Sequence, residues 1–378
     1  MDMKVAVLAD WPRSEVVGGV QVHTVNLVRN LAKMNDLEIY VISFGEASEV
    51  YFEGRAKIVS MKNRRIYRFL PILSMIKVAI EVDRIKPDII HIQGSYRVPY
   101  LLYVLLLAPR RYKKLMTIHG IVGIETQFDE KTSTIGKFLG TFLEKIAIAR
   151  IPNLIVCSPA VKALLNEYQK TDSRFHVIPN GIEFEDTQTI KNVELHHPNV
   201  IFIGRLTRVK GVDVLIKAIP LVKEVIPNIH LYIIGSGPME NELKEIVKSM
   251  RLEENINFLG VVSDLEKFSY LKSADICVLP SFYEPFGIVL LEAMACKTAI
   301  IASDVGGIPY VLGDGEAGIL FKCGDVDDLA KKIILLLSDE RKRKELADAG
   351  YKRVKVFTWK DVALSTKKLY TRLVCERK

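Results

Sequence analysis

The chain predicts an α/β protein of two doubly wound domains, and three observations carry that expectation. Short, almost wholly apolar runs alternate with amphipathic stretches along the 378 residues. Those runs lack the in–out alternation of half-exposed strands, which is how parallel strands buried on both faces read. The rhythm stops at a polar, aperiodic stretch, 183–198, and then begins again.

In the first half, strands are expected at 4–8, 37–42, 89–92, 114–118, 153–157 and 175–178, with amphipathic helices at 20–34, 72–85 and 137–149. The second half restarts at 199–203 and continues through 229–234, 256–259, 276–279 and 299–302. Strand–helix alternation gives parallel sheets covered by helices on both faces. The interruption carries Glu183, Glu185, Asp186, Thr187, Gln188 and His196-His197-Pro198, the composition of a linker. It sets one domain at 1–188 and a second at 189–358. Three helical stretches close the chain, at 326–338, 340–357 and 360–375, and Thr358-Trp359 breaks the last pair. Open α/β sheets bind ligands beyond the carboxyl ends of their strands, so two such domains predict a cleft where those ends face.

Composition narrows the function. Hydrophobic content of 49% with 26% charged residues describes a folded globular chain. A net charge of +8 favours anionic partners such as phosphates, nucleotides or acidic membranes. No helix-turn-helix, zinc-finger or RNP pattern accompanies it, so nucleic acid is not an expected partner. The five cysteines are Cys157, Cys277, Cys296, Cys323 and Cys375, without a C-x-x-C pair. They fit a reducing cytoplasm. The N-terminus enters a strand at once, so no signal peptide is expected. The apolar run 98–109 falls short of the ~20 residues of a membrane span.

The segment Glu284-Pro285-Phe286-Gly287-Ile288-Val289-Leu290-Leu291-Glu292 is the most informative. Pro285 disfavours α geometry at Glu284 and leaves that carboxylate in an extended loop. Gly287 permits close backbone approach as a helix opens. The free N–H groups of a helix N-terminus suit a phosphate. Glu292 then lies roughly a turn and a half inside the helix, where a carboxylate can bind a ribose diol. The bland alternative is a capped helix whose second Glu is solvated.

Other residues gather at expected strand ends. Gly18-Gly19-Val20 follows the first strand and opens a helix, as a phosphate-binding turn or a plain βα turn. It lacks the G-x-G-x-x-G spacing of the dinucleotide fingerprint. In Gly204-Arg205-Leu206-Thr207-Arg208-Val209-Lys210-Gly211, Arg205 and Lys210 leave a strand end together, and a guanidinium with an ammonium can neutralise a diphosphate. His119 stands at the end of the strand 114–118 ahead of Gly120, and His91 at the end of Asp88-Ile89-Ile90-His91. Pro179-Asn180-Gly181 reads as a turn. Gly235-Ser236-Gly237-Pro238 reads as a βα turn, and Ser281-Phe282-Tyr283 leads into Glu284. Asp325-Val326-Asp327-Asp328 resembles a metal site but reads better as an N-cap and acidic first turn. Basic clusters at 62–68 and 110–114 adjoin the apolar segments 69–76 and 100–107. They form either solvated faces or a surface for anionic lipid.

Taken in order, the Gly-Gly pair, His119-Gly120, Pro-Asn-Gly, Gly-Arg-Leu with Lys210-Gly211, the two Glu residues and an aromatic before the last helix resemble the retaining family 4 (group 1) glycosyltransferases. That resemblance spans nearly the whole chain. It implies the GT-B fold: two Rossmann-like doubly wound domains facing across a cleft, with 359–378 crossing back to the N-terminal domain. The 1–188 domain would bind the acceptor and the 189–358 domain the nucleotide-sugar. By resemblance, Glu284 contacts the transferred sugar, Glu292 the ribose, and His119 lies beside the sugar. Gly18, Gly19, Arg205, Lys210 and the backbone of Phe286, Gly287, Ile288 and Val289 would hold the donor diphosphate. Family members often show H-x-H where this chain has His91 and Gln93, which departs from the pattern. The resemblance further implies a cytoplasmic enzyme that needs no metal or other cofactor. It would move a hexose from a UDP- or GDP-sugar to a hydroxyl of a lipid or glycan, touching an anionic inner membrane face peripherally. A nucleotide-sugar 2-epimerase and a non-catalytic anion- or membrane-binding protein are the alternatives.

Overall fold

The structure is a computed structural model, and it describes residues 2–12, 18–62, 71–94, 98–128, 133–169, 171–183 and 189–376. The greater part of the basic cluster 62–68 and the linker residues Glu185, Asp186, Thr187 and Gln188 lie outside the described residues. The chain divides into two compact units: Met1–Gly181 with Trp359–Lys378, and Ile182–Thr358.

The first unit holds strands β1 (Met3–Leu8), β2 (Leu37–Gly45), β3 (Glu49–Glu53), β4 (Ala56–Lys62), β5 (Ile89–Gln93), β6 (Lys113–Ile118), β7 (Asn153–Val156) and β8 (Arg174–Val177). Their order across the sheet is β3-β4-β2-β1-β5-β6-β7-β8. All pairs are parallel except the β3–β4 hairpin, which turns at Gly54. Helices α1 (Gly19–Ala32), α2 (Pro71–Ile85), α3 (Val98–Leu102), α4 (Val122–Glu125), α5 (Thr134–Arg150) and α6 (Pro159–Tyr168) connect them. A π-helical turn, Tyr103–Leu107, extends α3. The strand order reverses at β1, whose neighbours are β2 and β5, so the crevice of this doubly wound sheet opens beyond the carboxyl end of β1.

The second unit runs β9 (Asn199–Ile203), α7 (Val212–Val225), β10 (His230–Ile234), α8 (Glu240–Ser249), β11 (Ile256–Gly260), α9 (Asp264–Ser273), β12 (Ile276–Leu279), α10 (Ile288–Ala295), β13 (Ala299–Ser303), α11 (Ile308–Leu312) and β14 (Ile319–Phe321). Helices α12 (Val326–Ser338) and α13 (Glu340–Arg353) follow. The strands form a parallel sheet ordered β11-β10-β9-β12-β13-β14. Here the reversal lies at β9.

The last helix, α14 (Trp359–Cys375), belongs to the first unit. Trp359, Val362, Ala363, Leu369, Tyr370 and Leu373 are buried in one core with Leu27 and Leu31 of α1 and with β1 and β2 residues. The crossing that the resemblance implied is therefore present.

Three details depart from the expectation. The strands β3, β4 and β14 were not anticipated. The stretch expected as one helix over 340–357 stops at Arg353 and ends in a short 3-10 turn, Val354–Val356. The described end of the linker is also fastened to the second unit. Lys272 Nζ donates to Ile190 O (2.8 Å), Val193 N–H to Ser273 Oγ (2.9 Å) and His196 N–H to Tyr232 Oη (3.0 Å). The Asp275 carboxylate takes His197 Nδ1 (2.8 Å) and Asn199 N–H (2.9 Å).

Candidate functional site

In the second unit, the loops at the strand carboxyl ends around β9 interlock through their backbones. Leu206 N–H donates to Ser236 O (2.9 Å), Phe282 N–H to Val209 O (2.8 Å) and Gly307 N–H to Glu284 O (2.8 Å). Gly306 is required by that last contact: at φ +54, an added Cβ would stand 2.2 Å from Glu284 O. The backbone of Glu284 is thus fixed from the β13–α11 loop, before any side chain is considered.

The sequence motif becomes a loop and then a helix, as expected. Gly287 is the N-cap of α10 in the left-handed region (φ 87, ψ 71), and no side chain caps the helix. The half-buried Ile288 and Val289 begin the first turn. The Phe286 side chain is not free for a ligand: it is buried and meets the Phe357 ring edge-on at 5.9 Å. Phe286 can offer a ligand only its backbone.

Both glutamates are nearly enclosed, Glu284 at 7% and Glu292 at 8% exposure, and each has a lysine partner. Lys210 Nζ lies 2.5 Å from Glu284 Oε2. Lys267 Nζ, from α9, lies 2.7 Å from Glu292 Oε1 and 2.8 Å from Asp264 Oδ1. Burial alone would lower the pKa of Lys267, but the two carboxylates outweigh it and raise the value. Arg205 is exposed and has no ion-pair partner among the described residues. The solvated-Glu alternative for Glu292 therefore fails, because that carboxylate is buried. Lys267 escaped the sequence reading because it lies on a helix whose spacing shows no motif.

In the first unit, Gly18 (φ 90, ψ 155) caps α1, and no side chain supplements it. Gly19 is the first helical residue. His119 closes β6 and is half-buried. Its Nε2 lies 3.0 Å from Gln93 Oε1, and Gln93 Nε2 lies 3.2 Å from His91 Nε2. His91 is fully buried, with Thr117 Oγ1 at 2.7 Å and Tyr370 Oη at 2.6 Å. Gln93 therefore fills the slot of a second histidine by bridging His91 to His119. His91 is an interior residue, out of reach of a ligand.

A third imidazole joins them. His23, on α1, donates from Nδ1 to Asn180 Oδ1 (2.8 Å) and lies edge-on to His119 (4.7 Å) and Trp359 (5.4 Å). Its Nε2 has no partner among the described residues. Burial pushes all three imidazoles down: His23 to about 4 despite its Asn180 bond, His91 to about 3, and His119 well below its ordinary value. Near neutral pH they act as hydrogen-bonding groups, not cations. Asn180 does more than turn the chain, and His23 was missed because a helical histidine with no motif partner reads as core. The loop after His119 has its own support. Glu144, fully buried on α5, accepts from Val122 N–H (2.9 Å) and Gly123 N–H (3.2 Å) at the start of α4.

Asp325 accepts from Asp328 N–H (3.0 Å) as the N-cap of α12. Among the described residues, no group of three or more His, Cys, Asp or Glu could hold a metal ion. Cys157 and Cys277 are buried, and none of the five cysteines forms a disulfide. No described helix is long and apolar enough to cross a membrane. Unit one does carry exposed apolar side chains on neighbouring helices: Ile72 and Ile76 on α2, Leu106 after α3, and Phe138 (72%) and Phe142 on α5.

Residues 17–186 match Glycosyltransferase Family 4, and residues 184–353 match Glycosyl transferases group 1. The chain is 28% identical over 404 residues to an alpha-maltose-1-phosphate synthase of Mycolicibacterium smegmatis, spanning 98% of this chain and 100% of that protein. It is 30% identical over 382 residues to a phosphatidyl-myo-inositol mannosyltransferase of Mycobacterium leprae, spanning 94% of this chain and 93% of that one. The solved sucrose-phosphate synthase of Thermosynechococcus elongatus superposes with a TM-score of 0.85 at 23% identity, covering 99% of this chain and 100% of the other. With the doubly wound units, the carboxylate pair at the β12–α10 turn and matches that cover both halves, the chain belongs to the family 4, group 1 glycosyltransferases of the GT-B fold.

Proposed function

We propose that the enzyme moves a hexose from a UDP- or GDP-sugar to a hydroxyl acceptor with retention of anomeric configuration. One observation carries this reading: two enclosed carboxylates flank the uncapped N-terminus of α10, with Lys210 on one of them and the exposed Arg205 without an ion-pair partner among the described residues. The second unit holds the nucleotide. Glu292 takes the ribose diol. Arg205, Lys210 and the N–H groups of Gly287, Ile288 and Val289 stabilise the departing diphosphate, the main electrostatic contribution to rate. Glu284 orients the sugar and stabilises oxocarbenium-like charge. His119 accepts or donates a hydrogen bond to the same sugar as a neutral imidazole, and Gly18 and Gly19 approach the diphosphate with backbone N–H groups. Attack occurs from the face that the diphosphate leaves, and the leaving phosphate takes the acceptor proton. No protein nucleophile, metal or cofactor takes part. The Lys210–Glu284 pair separates when donor arrives, because the diphosphate and the sugar hydroxyls supply each partner with a new one.

A panel of UDP-, GDP- and ADP-sugars, read by thermal shift and by slow nucleotide release without acceptor, tests the assignment. One donor should stabilise and be hydrolysed. Failure of every nucleotide sugar and free nucleotide to stabilise would sink it. A 2-epimerase would instead release an altered nucleotide sugar, which NMR of the products would reveal.

A lipid acceptor at an anionic membrane face, reached from the cytoplasm, is supported by the apolar side chains exposed on α2, on the π-helical turn after α3 and on α5 of this basic chain. The name of the mannosyltransferase relative points the same way. Flotation with phosphatidylglycerol vesicles should carry the protein upward, and F138S/F142S should abolish that. Absence of flotation at low salt would favour a soluble glycan or sugar phosphate.

A further inference from the structure

We infer that Lys267 is a positioning residue for Glu292, setting the affinity of the site for a ribonucleotide; this rests on the reading of Glu292 as the ribose ligand. Glu292 stands inside α10 among apolar and thiol side chains. Burial first, and the Glu292 charge next, push the Cys277 and Cys296 thiols up to about 12. A carboxylate enclosed in this way needs a fixed counter-charge. The cation that touches it is Lys267, at 2.7 Å from Oε1, itself only 16% exposed at its side chain. Asp264, one turn before Lys267 on α9, anchors the same ammonium at 2.8 Å. The geometry divides the labour within the carboxylate. Oε1 is engaged by Lys267, while Oε2 has no partner among the described residues. A diol arriving at Glu292 meets a carboxylate whose orientation is already set, so little ordering remains to be done on binding.

The inference separates from a merely structural role by a ribose-specific readout. Binding of UDP and 2′-deoxy-UDP, and of GDP and 2′-deoxy-GDP, is measured by calorimetry for the wild type, Lys267→Met, Lys267→Arg and Glu292→Gln. The wild type should prefer the ribonucleotide of its own base about tenfold. Lys267→Met should bind that ribonucleotide about tenfold more weakly and prefer it by less than about twofold, and Lys267→Arg should restore most of the preference. Lys267→Met/Glu292→Gln should bind no more weakly than Glu292→Gln. If Lys267→Met does not fold, Lys267→Gln carries the same readout. A folded Lys267→Met that keeps the tenfold preference overturns the inference. A wild type that binds these nucleotides without preferring ribose overturns the ribose assignment and the inference with it. A wild type that binds none of them overturns the donor reading on which both stand.

Discussion

Glu284 and Lys210 form an ion pair close to the strand ends of the second sheet. The pair is mostly withdrawn from water. Removing one partner strands a buried charge, whereas removing both does not. Lys210→Met should therefore destabilise the protein by about 2–4 kcal/mol, and Lys210→Met/Glu284→Gln should recover more than half of that, measured by urea unfolding. Glu284→Gln alone should keep the fold and lower transfer at least about 100-fold if it meets developing charge. The imidazoles give a pH dependence of definite sign. His23 and His91 are held neutral, with pKa values near 4 and 3 against an ordinary 6.5. An unfolded chain would bind more protons between those values. Their contribution is thus full above about pH 6.5 and is lost as pH falls toward 4 and then 3. Urea midpoints should be flat from pH 8 to 7 and decline at pH 5. At this scale the sequence was uneven. The two carboxylates were legible because one loop and helix start carries both, and Lys210 because it follows a strand end together with Arg205. Gln93, His23 and Lys267 were not, because each gains its role only from strand order or helix packing.

Among the elements, the loops at the carboxyl end of the second sheet behave as one unit. Gly306 touches the Glu284 carbonyl where no Cβ fits, so Gly306→Ala must push the two loops apart. It should cost about 2–4 kcal/mol and depress transfer by displacing the backbone of Glu284, which thermal melts and steady-state rates together would show. The buried parallel strands were readable because burial on both faces leaves an unbroken apolar run. The β3–β4 hairpin escaped because β3 is a half-exposed edge with Val50 and Phe52 facing outward between two glutamates. β14 has only three residues, too few to show a period.

At the scale of the whole molecule, the first unit is assembled from both ends of the chain. Tyr370 of α14 reaches His91 in the middle of its sheet, so the last helix completes its hydrogen bonding as well as its core. Tyr370→Phe should cost about 1–2 kcal/mol by stranding a buried imidazole nitrogen, with the loss seen in urea unfolding. The fold was legible at this scale because alternation of strand and helix is a property of long stretches. The ending of α14 on the first unit was implied only by resemblance, since no local pattern states where a helix will pack.

The discontinuous first unit has a consequence for synthesis. Residues 182–358 are contiguous, so the second unit can close as soon as they leave the ribosome. The first unit lacks Trp359 and Tyr370 until residues 359–375 have followed the second unit out. Its strands must wait with part of their apolar surface uncovered, which makes the earlier half of the nascent chain the later to mature and the one most in need of a chaperone.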